Sequence, residues 1–211
     1  MNFRYPIFLD VAGKRCLVTG EGYEIAGKIS GLAQAGAEVL YVNPDAVSEI
    51  RAKAEAGAIQ WHAREFETGD LDGCFLVITC GRRNAEIFEL AESRRILCNA
   101  VDDPKHCRYS YGSKVARGDL SIAISTNGIA PALAVRLKER LKGEIGPEYG
   151  EFLELLRALR PKIISGITDF ERRRNLWYRL VDSDVLQLFK KGDADGARRL
   201  AHELIQAELE Q

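Results

Sequence analysis

The chain has almost no net charge. Thirty Lys and Arg side chains are balanced by 31 Asp and Glu side chains, which leaves a formal charge of −1 at pH 7. A protein without a basic excess has no overall field that would hold nucleic acid or an anionic membrane surface. The composition therefore disfavours both of these partners.

Long apolar segments are also missing. No run approaches the roughly 20 residues that a membrane-spanning helix needs, and residues 1–6 lack the extended apolar region of a signal peptide. We therefore expect a cytoplasmic protein that does not cross a membrane.

Patterns typical of disulfides and metal sites are absent as well. The five cysteines are odd in number and contain no C-x-x-C pair, and the three histidines are widely separated. Such cysteines are typical of small buried side chains in a reducing compartment. Scattered histidines predict no metal centre.

Residues 15–42 predict a strand, a tight glycine turn, a helix and a second strand. Gly20 would let the chain turn off the strand, and Gly22 would leave room for a pyrophosphate at the start of the helix, where free N–H groups attract anions. Ile25 replaces the third small residue of the usual motif, and Glu21 adds a carboxylate. The pattern indicates a dinucleotide-binding βαβ unit, although two glycines could also serve only to make the turn.

Short apolar runs and helix-period segments continue to alternate up to residue 103. We predict strands at 58–62, 75–79 and 96–100, and helices at 48–56 and 84–93, with Ser48 as an N-cap. Parallel strands joined by crossover helices form a doubly wound sheet. The predicted fold class is therefore α/β with a Rossmann-like parallel sheet.

The pattern changes after Asp103-Pro104. Strands at 114–117 and 120–124 flank the turn signal Arg117-Gly118-Asp119, and a helix from Pro131 to about Lys142 follows, with one apolar stripe. Beyond residue 148 only helices are predicted. Their ranges are 152–159, 169–180, 183–190 and 193–209, with breaks at Pro161, Gly166 and Gly192 and an acidic start at Asp193.

Candidate cofactor contacts lie where the predicted strands end. Asn43-Pro44-Asp45 follows the second strand, where Rossmann domains meet the adenine ribose, and no arginine stands in this segment, which favours NAD over NADP. Gly81 would permit close approach to the cofactor. The predicted cofactor-binding residues are Gly20, Gly22, Tyr23, Glu24, Asn43, Pro44, Asp45, Cys80 and Gly81.

Asp102 follows the last predicted strand of the sheet, at the edge where open α/β folds bind ligands. A carboxylate there could accept a proton from a reacting group, or it could simply cap the turn at Pro104. We favour catalysis for Asp102 and capping for Asp103. His106 would approach Asp102 if one helical turn joined them.

A polar loop precedes the helix at Pro131. It consists of Ser125, Thr126, Asn127 and Gly128. Hydroxyls and backbone N–H groups at a helix start suit the binding of carboxylates, and an ordinary N-cap loop has the same composition.

Four stretches together resemble the N-terminal module of siroheme synthases. They are residues 5–14, residues 28–37, Asn99-Ala100-Val101-Asp102-Asp103-Pro104, and residues 118–134. The resemblance implies a Rossmann-like NAD-binding domain at 1–112, a small α+β dimerisation segment at 113–146 that exchanges strands and a helix between subunits, and an all-α C-terminal domain at 147–211.

The same resemblance implies an activity, namely NAD-dependent oxidation of precorrin-2 to sirohydrochlorin in siroheme or cobalamin synthesis. Bifunctional members also insert ferrous iron. It further implies a homodimer, a catalytic Asp102, and a loop at residues 125–128 that binds part of the polycarboxylate tetrapyrrole. Two other functions stay open: a chelatase without dehydrogenase activity, and a non-catalytic dimer that binds a dinucleotide or a tetrapyrrole.

Overall fold

The computed structural model describes residues 5–210, apart from the side chain of Tyr23. The chain divides into two units, one ending at Ser110 and one beginning at Tyr111. The strands and α-helices of the first unit are β1 (Arg15–Gly20), α1 (Tyr23–Gln34), β2 (Glu38–Val42), α2 (Ser48–Glu55), β3 (Gln60–His62), β4 (Leu76–Cys80), α3 (Asn84–Ser93) and β5 (Leu97–Ala100). Those of the second unit are β6 (Ser113–Arg117), β7 (Leu120–Ile124), α4 (Pro131–Glu144), α5 (Glu148–Gly166), α6 (Phe170–Asp182), α7 (Val185–Lys190) and α8 (Ala194–Leu209).

The first unit is built on a parallel sheet with the strand order β3-β2-β1-β4-β5. The winding direction reverses between β1 and β4, which is where the binding crevice of a doubly wound sheet opens. Gly20 pairs with Cys80 at the carboxyl ends of these two strands. The predicted Rossmann-like parallel sheet, followed by helices, is confirmed.

Side chains of the sheet alternate between two hydrophobic cores. Val18 of β1 packs with Ile29 of α1 in one core, whereas its neighbour Leu17 packs with Ile87 and Phe88 of α3 in the other. Burying each such aliphatic side chain contributes about 1.5–3 kcal/mol. Because helices cover both faces, the central strands β1, β2 and β4 are mostly buried and apolar and do not alternate with polar residues.

The element bounds in the first unit are close to the predicted ones. The helix at 84–93 is confirmed at both ends, and the later strands begin one or two residues inside the predicted ranges. The predicted N-cap at Ser48 is wrong: Val47 is the N-cap and Ser48 is already helical. Val47 has an extended backbone, and its carbonyl accepts hydrogen bonds from the N–H groups of Ile50 and Arg51.

The second unit opens with an antiparallel hairpin of β6 and β7, in which Arg117 pairs with Leu120. Gly118 has φ of 56°, and a Cβ added there would lie 3.3 Å from the Cα of Gly150 in the first turn of α5. Arg157 of α5 also forms an ion pair with Asp119. The hairpin turn is therefore held close to α5.

The predicted helix break at Pro161 is wrong, since α5 runs through this residue. Pro161 is exposed, while Leu159 and Ile163 are buried in the core that the helices of the second unit share. Packing of this apolar face outweighs the loss of one backbone hydrogen bond. The breaks at Gly166 and Gly192 are confirmed, and the Asp193 carboxylate caps α8 by accepting from the N–H of Gly196 at 2.8 Å.

Among residues 5–210, no helix combines the length and the apolar character that crossing a membrane requires.

Candidate functional site

The turn between β1 and α1 contains two glycines, Gly20 and Gly22, each with φ of 108°. A Cβ on Gly20 would lie 2.0 Å from the carbonyl oxygen of Cys80, whereas a Cβ on Gly22 would meet nothing within 4 Å. Gly20 is thus required by the close pairing of β1 with β4. Gly22 borders open space at the start of α1.

This open space suits an anion. Gly22 is the N-cap of α1 and provides no side-chain acceptor for the N–H groups of the first turn. Such groups, together with the positive end of the helix dipole, bind phosphates. Glu24 in the first turn and the exposed Glu21 place negative charge nearby, which opposes an anion, and binding of a pyrophosphate here stays a prediction. Tyr23 begins α1, and its side chain lies outside the described part of the chain.

A buried tyrosine, which sequence reasoning missed, connects this turn to the loop after β2. The hydroxyl of Tyr41 donates toward the carbonyl oxygens of Gly20 at 2.8 Å and Asp45 at 3.2 Å. Burial, followed by the charges of Glu21 and Asp45, raises the pKa of Tyr41 to about 12. The phenol therefore stays a hydrogen-bond donor at neutral pH. In the sequence, Tyr41 could have been noticed only as a hydroxyl-bearing side chain within an otherwise aliphatic strand.

The three residues predicted to meet the adenine ribose form this same loop. Asn43 is buried, and its Nδ2 donates to the carbonyl of Asp45 at 2.7 Å, so its amide shapes the loop. Pro44 and Asp45 are exposed. The Asp45 carboxylate accepts a hydrogen bond from Nη2 of Arg51 at 2.8 Å. Although the segment itself has no arginine, folding brings one to it from α2, so absence of an arginine no longer argues for NAD.

The end of β4 contributes Cys80 and Gly81. Gly81 has φ of 137°, and a Cβ there would meet nothing within 4 Å. Burial raises the pKa of the Cys80 thiol, and the charges of Asp102, Glu24 and Glu21 raise it further. The thiol is therefore protonated at neutral pH and lies within the electrostatic reach of several carboxylates.

Asp102 lies at the same edge of the sheet. The N–H of Val101 donates to the carbonyl of Thr79 at 2.8 Å, so the ladder between β4 and β5 continues to the residue before Asp102. Burial lowers the pKa of the Lys28 ammonium on α1, while Glu24 and Asp102 act in the opposite direction. The charge of Asp102 thus acts on both Cys80 and Lys28, which places it with the glycine turn.

The backbone at Asp102 is unusual. Asp102 has φ of 57°, in the left-handed region, and its side chain is exposed. Non-glycine residues adopt this conformation at a cost, and such residues are concentrated at functional sites. The position of Asp102 and its conformation together favour a functional carboxylate over a structural one.

The structure pairs the imidazole of His106 with Asp103, and a role for His106 beside Asp102 stays a prediction. Nδ1 of His106 lies 2.6 Å from Oδ2 of Asp103, because Pro104–His106 is a short 3-10 helix that brings residues three apart together. Asp103 occupies the N-cap position of this helix but makes no side-chain cap. The imidazole also meets the ring of Phe88 edge-on, at a centroid distance of 5.3 Å.

The predicted substrate loop belongs to the second unit. Asn127 and Gly128 have φ of 51° and 78°. The hydroxyl oxygen of Ser125 accepts from the N–H of Asn127 at 3.1 Å, and that of Thr126 accepts from the N–H of Ala130 at 3.3 Å. Both hydroxyls shape the approach to α4, and substrate binding by this loop stays a prediction.

A cavity of about 290 Å³ lies at the other end of the strands, where β1, β2 and β3 begin. Arg15, Glu38 and Gln60, which begin β1, β2 and β3, contribute to its lining. Because ligands of open α/β sheets bind at the carboxyl ends of the strands, this cavity is not the candidate cofactor site.

The cysteines and the other metal-ligating residues form no centre in the described structure. All five cysteines are free; Cys16 and Cys98 are buried and the other three are partly buried. Within residues 5–210, His, Cys, Asp and Glu side chains do not gather in groups of three that could hold a metal ion.

Three family models match successive parts of the chain. They are described as "Putative NAD(P)-binding" for residues 7–113, "Sirohaem biosynthesis protein central" for 117–144 and "Sirohaem synthase dimerisation region" for 148–205. The first covers half of the chain. The segment 113–146, for which we expected dimerisation, coincides with the central region, and the region named for dimerisation covers the later helices.

Relatives of known name match over almost the whole chain. The siroheme synthase of Thioalkalivibrio sulfidiphilus is 34% identical over 100% of this chain and 43% of its own length, and that of Photorhabdus laumondii is 32% identical over 97% and 44%. The chain thus spans less than half the length of these relatives. The solved structure of "SirC, precorrin-2 dehydrogenase" matches with a TM-score of 0.76 and 24% identity, over 96% of this chain and 99% of that one, and shows a shared fold. The chain belongs to the family of siroheme synthase N-terminal modules.

Proposed function

We propose that this chain is a dehydrogenase that uses NAD to oxidise precorrin-2 to sirohydrochlorin, in siroheme or cobalamin synthesis. The observation that carries the proposal is the meeting of an open glycine turn and an exposed, left-handed Asp102 at one edge of the sheet. The names of the relatives, which are siroheme synthases and a precorrin-2 dehydrogenase, agree with it.

Several residues at this edge would hold the cofactor. The backbone at Gly22 and the first turn of α1 would bind the pyrophosphate, and Gly81 would allow close approach. The exposed Asp45 carboxylate would accept a hydrogen bond from a ribose hydroxyl and would repel a 2′-phosphate, so it favours NAD over NADP. When bound, the nicotinamide supplies the hydride acceptor.

Oxidation of the macrocycle removes one hydride and one proton. The bound nicotinamide would supply the acceptor for the hydride, and the Asp102 carboxylate would accept the proton. The exposed position of this side chain gives a large substrate access to it. In the second unit, the loop of Ser125, Thr126, Asn127 and Gly128 would bind substrate carboxylates through backbone N–H groups and hydroxyls. A tetrapyrrole that releases a proton on oxidation and carries several carboxylates would use both the proton acceptor and the binding loop.

An anaerobic assay with precorrin-2 and NAD tests the activity. We expect NADH fluorescence and sirohydrochlorin absorbance to increase together in a one-to-one ratio. Ferrous iron is added only afterwards, so that metal insertion is measured as a separate step. If NAD binds but no NADH forms, the dehydrogenase proposal is wrong; siroheme formation from supplied sirohydrochlorin would then identify a chelatase.

We also propose that the protein is a homodimer that uses the apolar face of α4. Leu133 on this helix is 53% exposed and Leu137 is 37% exposed. Neighbouring exposed apolar side chains of this kind are typical of interaction surfaces. The stripe was predicted within the segment that the resemblance assigns to dimerisation.

Leu133→Glu should convert the dimer to a monomer, because a charge in the centre of an apolar interface is strongly destabilising. The molar mass of both proteins is measured by light scattering during gel filtration. Val181→Glu provides a matched comparison, since Val181 on α6 is 52% exposed. If only Val181→Glu produces a monomer, the interface lies in the helices of residues 148–205 and the α4 proposal is wrong.

A further inference from the structure

We propose that Asp45 and Arg51 together determine the choice between NAD and NADP. The Asp45 carboxylate pairs with the Arg51 guanidinium, which would otherwise bind a 2′-phosphate. The inference rests on the proposed function of this edge as a dinucleotide site. It assigns Arg51 of α2, which the pattern of residues 43–45 does not include, to the selection of the cofactor.

Arg51 is fixed by three contacts. Its Nε donates to the carbonyl of Ala46 at 2.8 Å, its Nη2 donates to Asp45 at 2.8 Å, and its guanidinium carbon lies 5.0 Å from the ring centroid of Trp61. Two of these contacts do not involve the Asp45 side chain. The guanidinium would therefore keep its place if the carboxylate were removed.

The surroundings of Arg51 are themselves anchored to the sheet. Nε1 of Trp61 on β3 donates to the carbonyl of Asn43 at 3.0 Å. The hydroxyl of Tyr41 connects the carbonyls of Asp45 and Gly20. Arg51 therefore has a defined position relative to the glycine turn, on the side where a Rossmann domain holds the adenine ribose.

The charges at this place decide between the two dinucleotides. The Asp45 side chain is 86% exposed and that of Arg51 is 47% exposed, so both are accessible to a ligand. The Asp45 carboxylate accepts a hydrogen bond from Nη2 of Arg51 and would repel a 2′-phosphate. Without the carboxylate, the planar guanidinium would present its donors to the phosphate, a geometry that arginine favours.

Removing the carboxylate should not unfold the protein. Exposed ion pairs contribute little to stability. The hydrogen bonds that hold the loop use the backbone carbonyl of Asp45, and an asparagine retains that carbonyl. Asp45→Asn therefore changes the charge and leaves the shape of the loop.

Titration calorimetry with NAD and with NADP, without tetrapyrrole, tests the inference on the full chain. The wild-type protein should prefer NAD. Asp45→Asn should shift the ratio of the two affinities toward NADP by on the order of 100-fold, because a repulsive charge is replaced by an available guanidinium. The double variant Asp45→Asn with Arg51→Gln should lose most of the NADP affinity that the single variant gained.

A second exposed ion pair of the same unit serves as the control. Arg94 donates to Asp72 at 2.7 Å and also to the carbonyl of Thr68, and Asp72 is 76% exposed. Asp72→Asn thus removes a similar carboxylate elsewhere and should change neither affinity. Thermal melting of each variant checks its folding.

The outcomes separate the inference from the proposed function. If the wild-type protein binds NAD and Asp45→Asn gains no affinity for NADP, the inference is wrong and the dinucleotide site stands. The inference is also wrong if the wild-type protein already prefers NADP, or if the double variant keeps the gain. If the folded wild-type protein binds neither dinucleotide, both the inference and the proposed function are overturned.

Discussion

Asp102→Asn should lower the turnover of precorrin-2 by about 10²–10⁴-fold, which is the usual contribution of a positioned general base, while NAD binding and folding are unchanged. The amide cannot accept the proton that the substrate releases. Asparagine has the same shape as aspartate and tolerates the left-handed backbone that Asp102 adopts at φ of 57°. Steady-state rates, calorimetry with NAD and a thermal melt measure the three properties separately.

Two further variants control this experiment. Asp103→Asn removes the neighbouring carboxylate, which pairs with His106, and should lower turnover far less. Asp102→Gly should be at least as stable as the wild-type protein, because glycine adopts a positive φ without strain, and it should be as inactive as Asp102→Asn. An Asp102→Asn protein that turns over normally would remove this residue from the mechanism. A loss of NAD affinity would instead assign it to cofactor binding.

Much of the first unit could be predicted because its central strands, β1, β2 and β4, are mostly buried on both faces. Runs of buried residues such as Leu76–Cys80 can be recognised without any knowledge of the partner strands. In the helix Asn84–Ser93, apolar residues recur at helical spacing and both ends can be identified. Pro161 shows where local rules fail. The cost of a proline inside a helix is a property of the local chain, but the gain from burying Leu159 and Ile163 appears only when the helices pack together.

The sequence predicts those parts of the candidate site that lie at strand ends and at glycines. It does not predict the contacts that form only when distant elements pack together. The hydroxyl of Tyr41 reaches Gly20 across 21 positions of sequence, and Arg51 stacks on Trp61 of another element. No local spacing indicates such contacts. The pairing of His106 with Asp103 has a simpler cause: a 3-10 turn brings residues i and i+3 together, whereas an α-helical turn also favours i and i+4.

The two glycines of the first turn should lose stability to different extents when each is replaced by alanine. Gly20→Ala should destabilise the protein by on the order of 3–5 kcal/mol, at the upper end of single substitutions, because its Cβ would lie 2.0 Å from the carbonyl oxygen of Cys80. The Cβ of Gly22→Ala would meet no atom within 4 Å. This variant should therefore lose only about 1–3 kcal/mol of unfolding free energy, through its unfavourable φ. Denaturant unfolding curves measure both changes.

The affinity for NAD then distinguishes a loss of stability at Gly22 from a loss of the cofactor site. Gly22→Ala should stay folded and bind NAD at least about tenfold more weakly, a change of 1.4 kcal/mol, because its methyl group would occupy the space proposed for the pyrophosphate. Gly57→Ala is the matched control: Gly57 has φ of 71°, its Cβ would also meet nothing within 4 Å, and it lies between α2 and β3, at the opposite edge of the sheet. Alanine tolerates φ of 71° better than the φ of 108° and ψ of 166° of Gly22, so Gly57→Ala should lose less stability and should keep its affinity for NAD. If Gly22→Ala and Gly57→Ala bind NAD equally well, the pyrophosphate does not rest on this turn, and the cofactor must be sought elsewhere on the sheet.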